Sequence, residues 1–317
     1  MTFSILTFVL IMIEELADII FDIRSGIQVS SNDATLREDT NFASRTEAID
    51  FLDFYIIDRI EGLLQNEGYS KDLHALQQQA KQVKLELEKI NRSLFAQLRE
   101  KINAGLFTTS SFRRMIGQYL PDSGNRCNTI GYDQLDIFLN ELLSDQPVPE
   151  ASLKRMPGMV FYQKTPARII FELAERAAFK QHDIFYDLGS GLGQAVILIH
   201  LLTGATARGV EYEPAYWRFA ETCASNLNLS HVQFINQDAR QGDYSQGTVF
   251  FMYTPFTGSM LEEMLAILQK EAATREIRIF TYGPCTFPVA QQNWLICKNS
   301  ITDDPYKLYE FHSFPTA

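Results

Sequence analysis

The residues with the clearest chemical potential lie between Asp183 and Pro214, in DIFYDLGSGLGQAVILIHLLTGATARGVEYEP. A short apolar run, Ile184-Phe185-Tyr186, reads as a buried strand. The chain then turns on Asp187-Leu188-Gly189-Ser190-Gly191-Leu192-Gly193, continues as an apolar helix from Gln194 and returns to a second strand ending Gly209-Val210-Glu211. Strand, glycine turn, helix, strand and acid make half of a doubly wound nucleotide-binding sheet. In such a turn Gly189 supplies a positive φ. Gly191 leaves the backbone open to a ligand, and Gly193 lets the helix pack closely. Glu211, about twenty residues after the turn, sits where a carboxylate accepts hydrogen bonds from ribose hydroxyls. Asp187 narrows the ligand further. A pyrophosphate site wants a neutral helix N-terminus, and a carboxylate at the end of the first strand repels it. That carboxylate suits a cofactor bearing an amine and a sulfonium, which is the description of S-adenosylmethionine.

Two further pieces follow in chain order. Asn236-Gln237-Asp238-Ala239 lies on a polar turn after a strand, where Asp238 can accept from an adenine amino group and Ala239 leaves room for the ring. Phe250-Phe251-Met252-Tyr253-Thr254-Pro255-Phe256 ends the next strand. Tyr253, Thr254 and Phe256 there are candidate walls for a methyl acceptor, with Tyr253 also able to accept or relay a proton. Ahead of the sheet, Phe161-Tyr162-Gln163-Lys164-Thr165-Pro166 is placed to cover the methionine end of the cofactor.

The elements that must position these residues divide the chain in two. Residues 1–150 read as a helical N-terminal domain. The first helix is expected to end at Ser25-Gly26, with a polar loop from Ser30 to Thr40. A second helical pattern starts at Thr46 and closes at Gly68, and Ser70 is expected to cap a third that runs to about Asn103, with Gly105 behind it. Shorter helices follow near 111–120 and 132–143, then a linker, DQPVP, from Asp145 to Pro149. The stripe Leu76, Val83, Leu87, Ile90, Leu94 and Leu98 drifts from a strict heptad, which favours bundle packing over a dimeric coiled coil. Residues 151–317 alternate strand and helix. A helix is expected over 165–179 with Pro166 at its first position, and strands near 184–187, 207–211, 232–235, 248–253, 276–282, 293–298 and 306–313. A turn, Thr302-Asp303-Asp304-Pro305, separates the last two, which can therefore pair antiparallel. The fold class is α/β, a Rossmann-like, seven-stranded, mostly parallel methyltransferase sheet preceded by an all-helical domain.

Composition bounds the partners. The chain of 317 residues has a formal net charge of −11, which argues against tracking nucleic acid by electrostatics. Residues 1–150 carry 14 basic against 23 acidic residues, and residues 151–317 carry 14 against 16. The acidity of the helical half makes either a solvated face or a docking surface for a basic protein or peptide. Cys127, Cys223, Cys285 and Cys297 are scattered, with no C-x-x-C and no histidine cluster, so they fit a reducing, cytoplasmic setting and give no metal site. The apolar run Phe3–Ile13 is too short to span a bilayer and lacks the flanks of a signal peptide. It reads as the buried start of a helix continuing to Arg24, or as leader to a true start at Met12. The oligomeric state is open.

On these residues the segment from about 160 to 260 resembles class I S-adenosylmethionine-dependent methyltransferases. Among them it is most similar to the non-SET histone-lysine methyltransferases named for disrupting telomeric silencing. The matching pieces are Tyr162-Gln163-Lys164-Thr165, DLGSGLGQ from Asp187 to Gln194, GVE from Gly209 to Glu211, and Asp238-Ala239. The resemblance implies that Tyr162 and Thr165 contact the methionine part of the cofactor. It places Asp187 and the turn Leu188, Gly189, Ser190, Gly191, Gly193 and Gln194 at the amino acid portion and toward the ribose, Glu211 on the ribose and Asp238 with Ala239 at the adenine. Where that family has paired asparagines followed by phenylalanine, this chain has Tyr253-Thr254-Pro255-Phe256. The basic nucleosome-binding tail is also absent. Three functions stay open on the sequence: a protein-lysine N-methyltransferase, a small-molecule methyltransferase with the helical half as a lid, and a cofactor-binding scaffold without turnover.

Overall fold

A computed structural model describes residues 2–65, 70–119 and 133–314, with side chains from residue 17 onward and excluding that of residue 70. Gly68 and Cys127 lie outside the described residues, as does the capping side chain expected at Ser70. Two compact units divide the chain, residues 1–97 with 115–127, and residues 98–114 with 128–317.

In the first unit, helix α1 runs Thr2–Asn32 without a break at Gly26. The expected stop there is corrected by packing. A Cβ on Gly26 would meet Ile56 Cδ1 and Phe51 Cε1 at 3.0 Å, so the glycine admits a neighbouring helix rather than ending its own. The expected loop over 30–40 shrinks accordingly, because Asp33 caps a short 3-10 turn at Ala34–Arg37. Helix α2 (Phe42–Asp50) continues through a π-helical stretch, Phe51–Ile57, into α3 (Asp58–Leu64). A cluster of Ile23, Ile27, Leu52, Ile56, Ile60, Leu73 and Leu76 fills this unit. Helix α4 spans Ser70–Asn103 and stops before Gly105, whose φ of +67° no ordinary side chain favours. Helix α5 follows at Thr109–Tyr119. No helix among the described residues is long and apolar enough to cross a membrane.

The second unit holds α6 (Gln134–Leu143), α7 (Ala167–Arg176) and a seven-stranded sheet. In chain order the sheet elements are β1 (Ile184–Leu188), α8 (Gln194–Thr203), β2 (Thr206–Glu211), α9 (Pro214–Asn226), β3 (Val232–Asn236), β4 (Val249–Tyr253), α10 (Gly258–Ala272), β5 (Arg278–Tyr282), α11 (Thr286–Ala290), β6 (Leu295–Cys297) and β7 (Tyr309–Ser313). The strand order is β3-β2-β1-β4-β5-β7-β6; β1 to β5 run parallel, and β7 lies antiparallel to both β5 and β6. Helix α7 starts at Ala167, so Pro166 is its N-cap rather than its first residue. Strand β1 is buried over Phe185–Leu188, and α8 is apolar on all sides because it is covered all round. The order reverses between β1 and β4. That crevice at the carboxyl ends of the strands is where open α/β sheets bind ligands.

Candidate active site

Four strand ends carry the chemistry to one place. The register sets Asp187 beside Gly209 on β2 and Phe251 on β4, and sets Glu211 beside Asn236 on β3. Beyond β1 the backbone turns through Gly189, Gly191 and Gly193 at φ of +81°, +53° and +81°. The Val210 carbonyl at the end of β2 holds this turn, accepting from Gly189 N at 2.9 Å and Ser190 N at 3.0 Å. A Cβ on Gly189 would lie 2.5 Å from Pro255 Cβ, and one on Gly193 2.5 Å from Phe234 Cζ. At Gly191 the nearest side chain is that of Tyr162. The atom that comes close is Tyr162 Cε2, 2.1 Å from where a Cβ would stand, so this glycine makes room for the Tyr162 ring.

A cavity of about 470 Å³ opens over the turn, within the range of small-ligand sites. It is lined by Tyr162, Thr165, Asp187, Gly189, Ser190, Gln194, Glu211, Ala239, Tyr253 and Thr254 among the residues expected from the sequence. Leu188, Gly191, Gly193 and Asp238 support it without lining it. Gln237, Glu213, Tyr216, Lys154 and Arg155 line it as well. Of these five, Gln237 lies in the Asn236–Ala239 turn read from the sequence, while Glu213, Tyr216, Lys154 and Arg155 belong to no motif, although Glu213-Pro214 is legible as a helix start.

The floor is acidic. Burial, with the charge of Glu211 second, pushes the Asp187 carboxyl up to about 8. Burial also raises Glu211, against hydrogen bonds that favour its ionised form. Glu211 Oε2 accepts from Gly191 N at 2.7 Å and Oε1 from Glu213 N at 2.8 Å, so it clamps the turn to the start of α9. Glu213 is itself the N-cap of α9 and takes Ser152 and Leu153 from the preceding segment. With Ser152 the first of its hydrogen-bond donors, it is held down at about 2 although burial opposes this.

Buried polar atoms left without a partner locate the ligand's polar end. Ser190 Oγ and both amide atoms of Gln194 have none within the described protein. An orphaned buried group costs about 1–3 kcal/mol, so three around one cavity mark a site built to be completed from outside. The buried Asp187 carboxyl and the half-buried Glu211 carboxyl in the same cavity call for positive charge. An amino acid head with an ammonium, a carboxylate and a nearby sulfonium answers both demands, and the residues present fit S-adenosylmethionine.

The cover is pinned from two sides. Asp136, in the capping box of α6, accepts from Ala167 N at 2.8 Å, and Lys164 Nζ donates to Asn140 Oδ1 at 2.7 Å, which fixes the Tyr162–Thr165 segment. Met159 bridges Phe256, Val160 N donates to Pro255 O at 3.2 Å, and Thr257 N donates to Gly158 O at 2.8 Å. The residues before α7 are thereby stitched to the end of β4. There Thr254 adopts φ +41°, its hydroxyl donating to Tyr282 O at 3.3 Å and accepting from Cys285 N at 3.2 Å. Thr254 thus holds the turn, while the Tyr253 ring packs on Tyr282 with centroids 4.8 Å apart. Asp238 is committed to Arg240, whose Nη2 donates to Oδ2 at 2.7 Å while Nε and the backbone N–H both donate to Oδ1.

The family described as "Histone methylation protein DOT1" matches residues 158–270, about a third of the chain, and the match spans the cover, the glycine turn, Glu211 and the end of β4. The matched segment, lying in a sheet of order β3-β2-β1-β4-β5-β7-β6, is similar to that family of S-adenosylmethionine-dependent methyltransferases. Solved structures similar to this chain include an RNA methyltransferase from Salinibacter ruber in complex with S-adenosyl-L-homocysteine, at 22% identity over 49% of this chain and 95% of that one, TM-score 0.41. Another is precorrin-6y C5,15-methyltransferase from Geobacter metallireducens, at 15% identity over 50% and 94%, TM-score 0.38. A putative methyltransferase from Escherichia coli is similar at 16% identity over 53% and 91%, TM-score 0.40. No curated protein matches the chain.

Proposed function

We propose that the chain transfers a methyl group from S-adenosylmethionine to the side-chain amine of a lysine in a protein. The observation that carries this reading is the coincidence, in one cavity, of an acidic cofactor floor with an aromatic mouth in the segment matched to the DOT1 family. The cofactor supplies a methyl group already activated on sulfur. Asp187, Ser190 and Gln194 would hold its amino acid head, Tyr162 and Thr165 its methionine arm, and Glu211 its ribose through the lone pairs the backbone leaves open. Asp238 would keep one acceptor position for the adenine amine, since a carboxylate accepts about four hydrogen bonds and Arg240 takes three. Gln237 and Ala239 would border the ring.

What remains is positioning and proton loss at the acceptor. A lysine amine titrates near 10.4 in water. Phe161, Tyr253 and Phe256 would desolvate it and favour the neutral nucleophile. They would also hold it in line at roughly 3–3.5 Å from the methyl. Thr254 would act by holding the turn that presents Tyr253. The net charge of −11 suits a basic carrier protein.

The test is calorimetric titration with S-adenosylmethionine, using Glu211→Gln as control, followed by transfer of labelled methyl to protein. Saturable binding weakened by the control, with label on lysine, is expected. Label confined to small molecules would refute the lysine acceptor, and absence of binding would refute the enzyme.

A further inference from the structure

The segment 151–159 forms one lip of the cavity and carries two exposed cations, Lys154 and Arg155, both among the lining residues. Its base is fixed. Glu213 Oε1 accepts from the Ser152 hydroxyl at 2.5 Å and Oε2 from Leu153 N at 2.8 Å. The next turn is fixed by stacking, with the Arg155 guanidinium 3.2 Å from the centroid of Phe161, a ring 70% exposed at the mouth. Stacking holds the guanidinium plane while its N–H edge remains able to donate. Among the described residues no ion pair or hydrogen bond engages either cation. None of the cavity's acids pairs directly with them. Asp187 lies buried and Glu211 half-buried on the floor, and the carboxylate oxygens of Glu213 are taken up by Ser152, Leu153 and Ala215.

We infer that this lip reads the residues beside the acceptor, and that the protein substrate carries an aspartate or glutamate within a residue or two of the methylated lysine. The inference rests on the lysine reading above. Two preset cations repel an incoming lysine, and more so one flanked by arginine or lysine. A neighbouring carboxylate removes that repulsion and matches the planar fork of Arg155 in two hydrogen bonds. The overall negative charge attracts basic proteins at long range. The lip acts at contact, inside a Debye length of about 8 Å, so a broadly basic protein with a locally acidic target sequence satisfies both fields.

The experiment compares kcat/KM for three peptides that differ only in the residues flanking one lysine, Glu on both sides, Ala, or Arg. Each is assayed with the full chain and with the K154E/R155E double variant. The wild type should prefer Glu over Arg flanks by roughly tenfold at low salt, the ratio shrinking as salt is added. In K154E/R155E the ratio should invert, and Arg155→Gln should give an intermediate value. Because each ratio is taken within one protein, a change in overall activity does not move it. A wild-type ratio near one, or one favouring Arg, would overturn the inference, as would a ratio indifferent to charge reversal. Label on all three peptides at equal rates rejects only the flank reading. Absence of label from every peptide, with transfer to a nucleic acid or a small molecule instead, rejects the lysine acceptor and this inference with it.

Discussion

Cofactor affinity should rise with pH, and Asp187 should be the reason. Burial beside Glu211 pushes its carboxyl up to about 8 in the ligand-free protein. At pH 7 such a group is about one-tenth ionised, and at pH 6 about one-hundredth. A sulfonium and an ammonium placed over it stabilise the ionised form only, so binding takes the proton off. Affinity should therefore climb about tenfold between pH 6 and 7, roughly 1.4 kcal/mol, with release of close to one proton per cofactor at pH 7. The window is bounded above because the ligand's own α-amino group loses its charge near 7.7–8.0. Calorimetry at pH 6.0, 6.5, 7.0 and 7.5, in two buffers of different ionisation enthalpy, reads affinity and proton count together. Asp187→Asn should bind more weakly at pH 7.5 and lose the slope. The same substitution should stabilise the ligand-free protein. A carboxyl whose folded pKa lies above its ordinary 3.8 destabilises the fold increasingly as pH rises from about 4 toward 8. By pH 7 the gain should be about 2–4 kcal/mol, vanishing near pH 4. A flat wild-type affinity with no proton release would mean that Asp187 does not change its protonation state on binding, and the account of the acidic floor would fail.

Three further outcomes follow from the geometry. Gly191→Ala puts a methyl 2.1 Å from Tyr162 Cε2 at φ +53°, so the ring must leave; cofactor affinity should drop at least about tenfold while the far-ultraviolet circular dichroism is kept. Glu213→Ala removes the clamp on Ser152 and Leu153, and limited proteolysis should cut within residues 150–160 faster than in the wild type, an excess that saturating cofactor reduces. Tyr253→Phe keeps the ring against Tyr282 and should hold kcat within about threefold, whereas Tyr253→Ala opens the wall and should lower it by about tenfold or more; equal losses in both would move the Tyr253 hydroxyl from bystander to proton carrier.

The strands were legible because each is a short apolar run between turn residues, and because the parallel part of a doubly wound sheet is buried on both faces. The antiparallel pairing of β6 with β7 was legible from the turn between them. That β7 enters the sheet between β5 and β6 was not, since strand order depends on which apolar faces meet in space. Gly26 shows the same limit in a helix. A Ser-Gly pair after an apolar run carries the local signal of a stop, and only the approach of Phe51 and Ile56 reveals it as a contact point. Gly191 is a third case, because its small size is needed by Tyr162, a residue 29 positions earlier with no periodic relation to it.

The site divides along the same line. Asp187, Glu211 and the glycine turn sit in one continuous strand-turn-helix-strand unit, so spacing alone announces them. Asp136, Asn140, Glu213 and Arg240 carry no such mark, yet they determine what the announced residues can do. Asp136 and Asn140 hold the Tyr162–Thr165 cover from α6, and Glu213 holds the lip from α9. Arg240 takes three of the acceptor positions of Asp238, and its own guanidinium also reaches Glu263 on α10 at 2.8 Å. An acid that the spacing assigns to adenine is thus part of an ion-pair chain running to a helix. Its freedom to meet the base depends on a partner two residues away that the motif does not mention. A motif in this fold marks the candidate atoms for the cofactor, and the supporting contacts set their charge, reach and lone pairs, which only the folded arrangement displays.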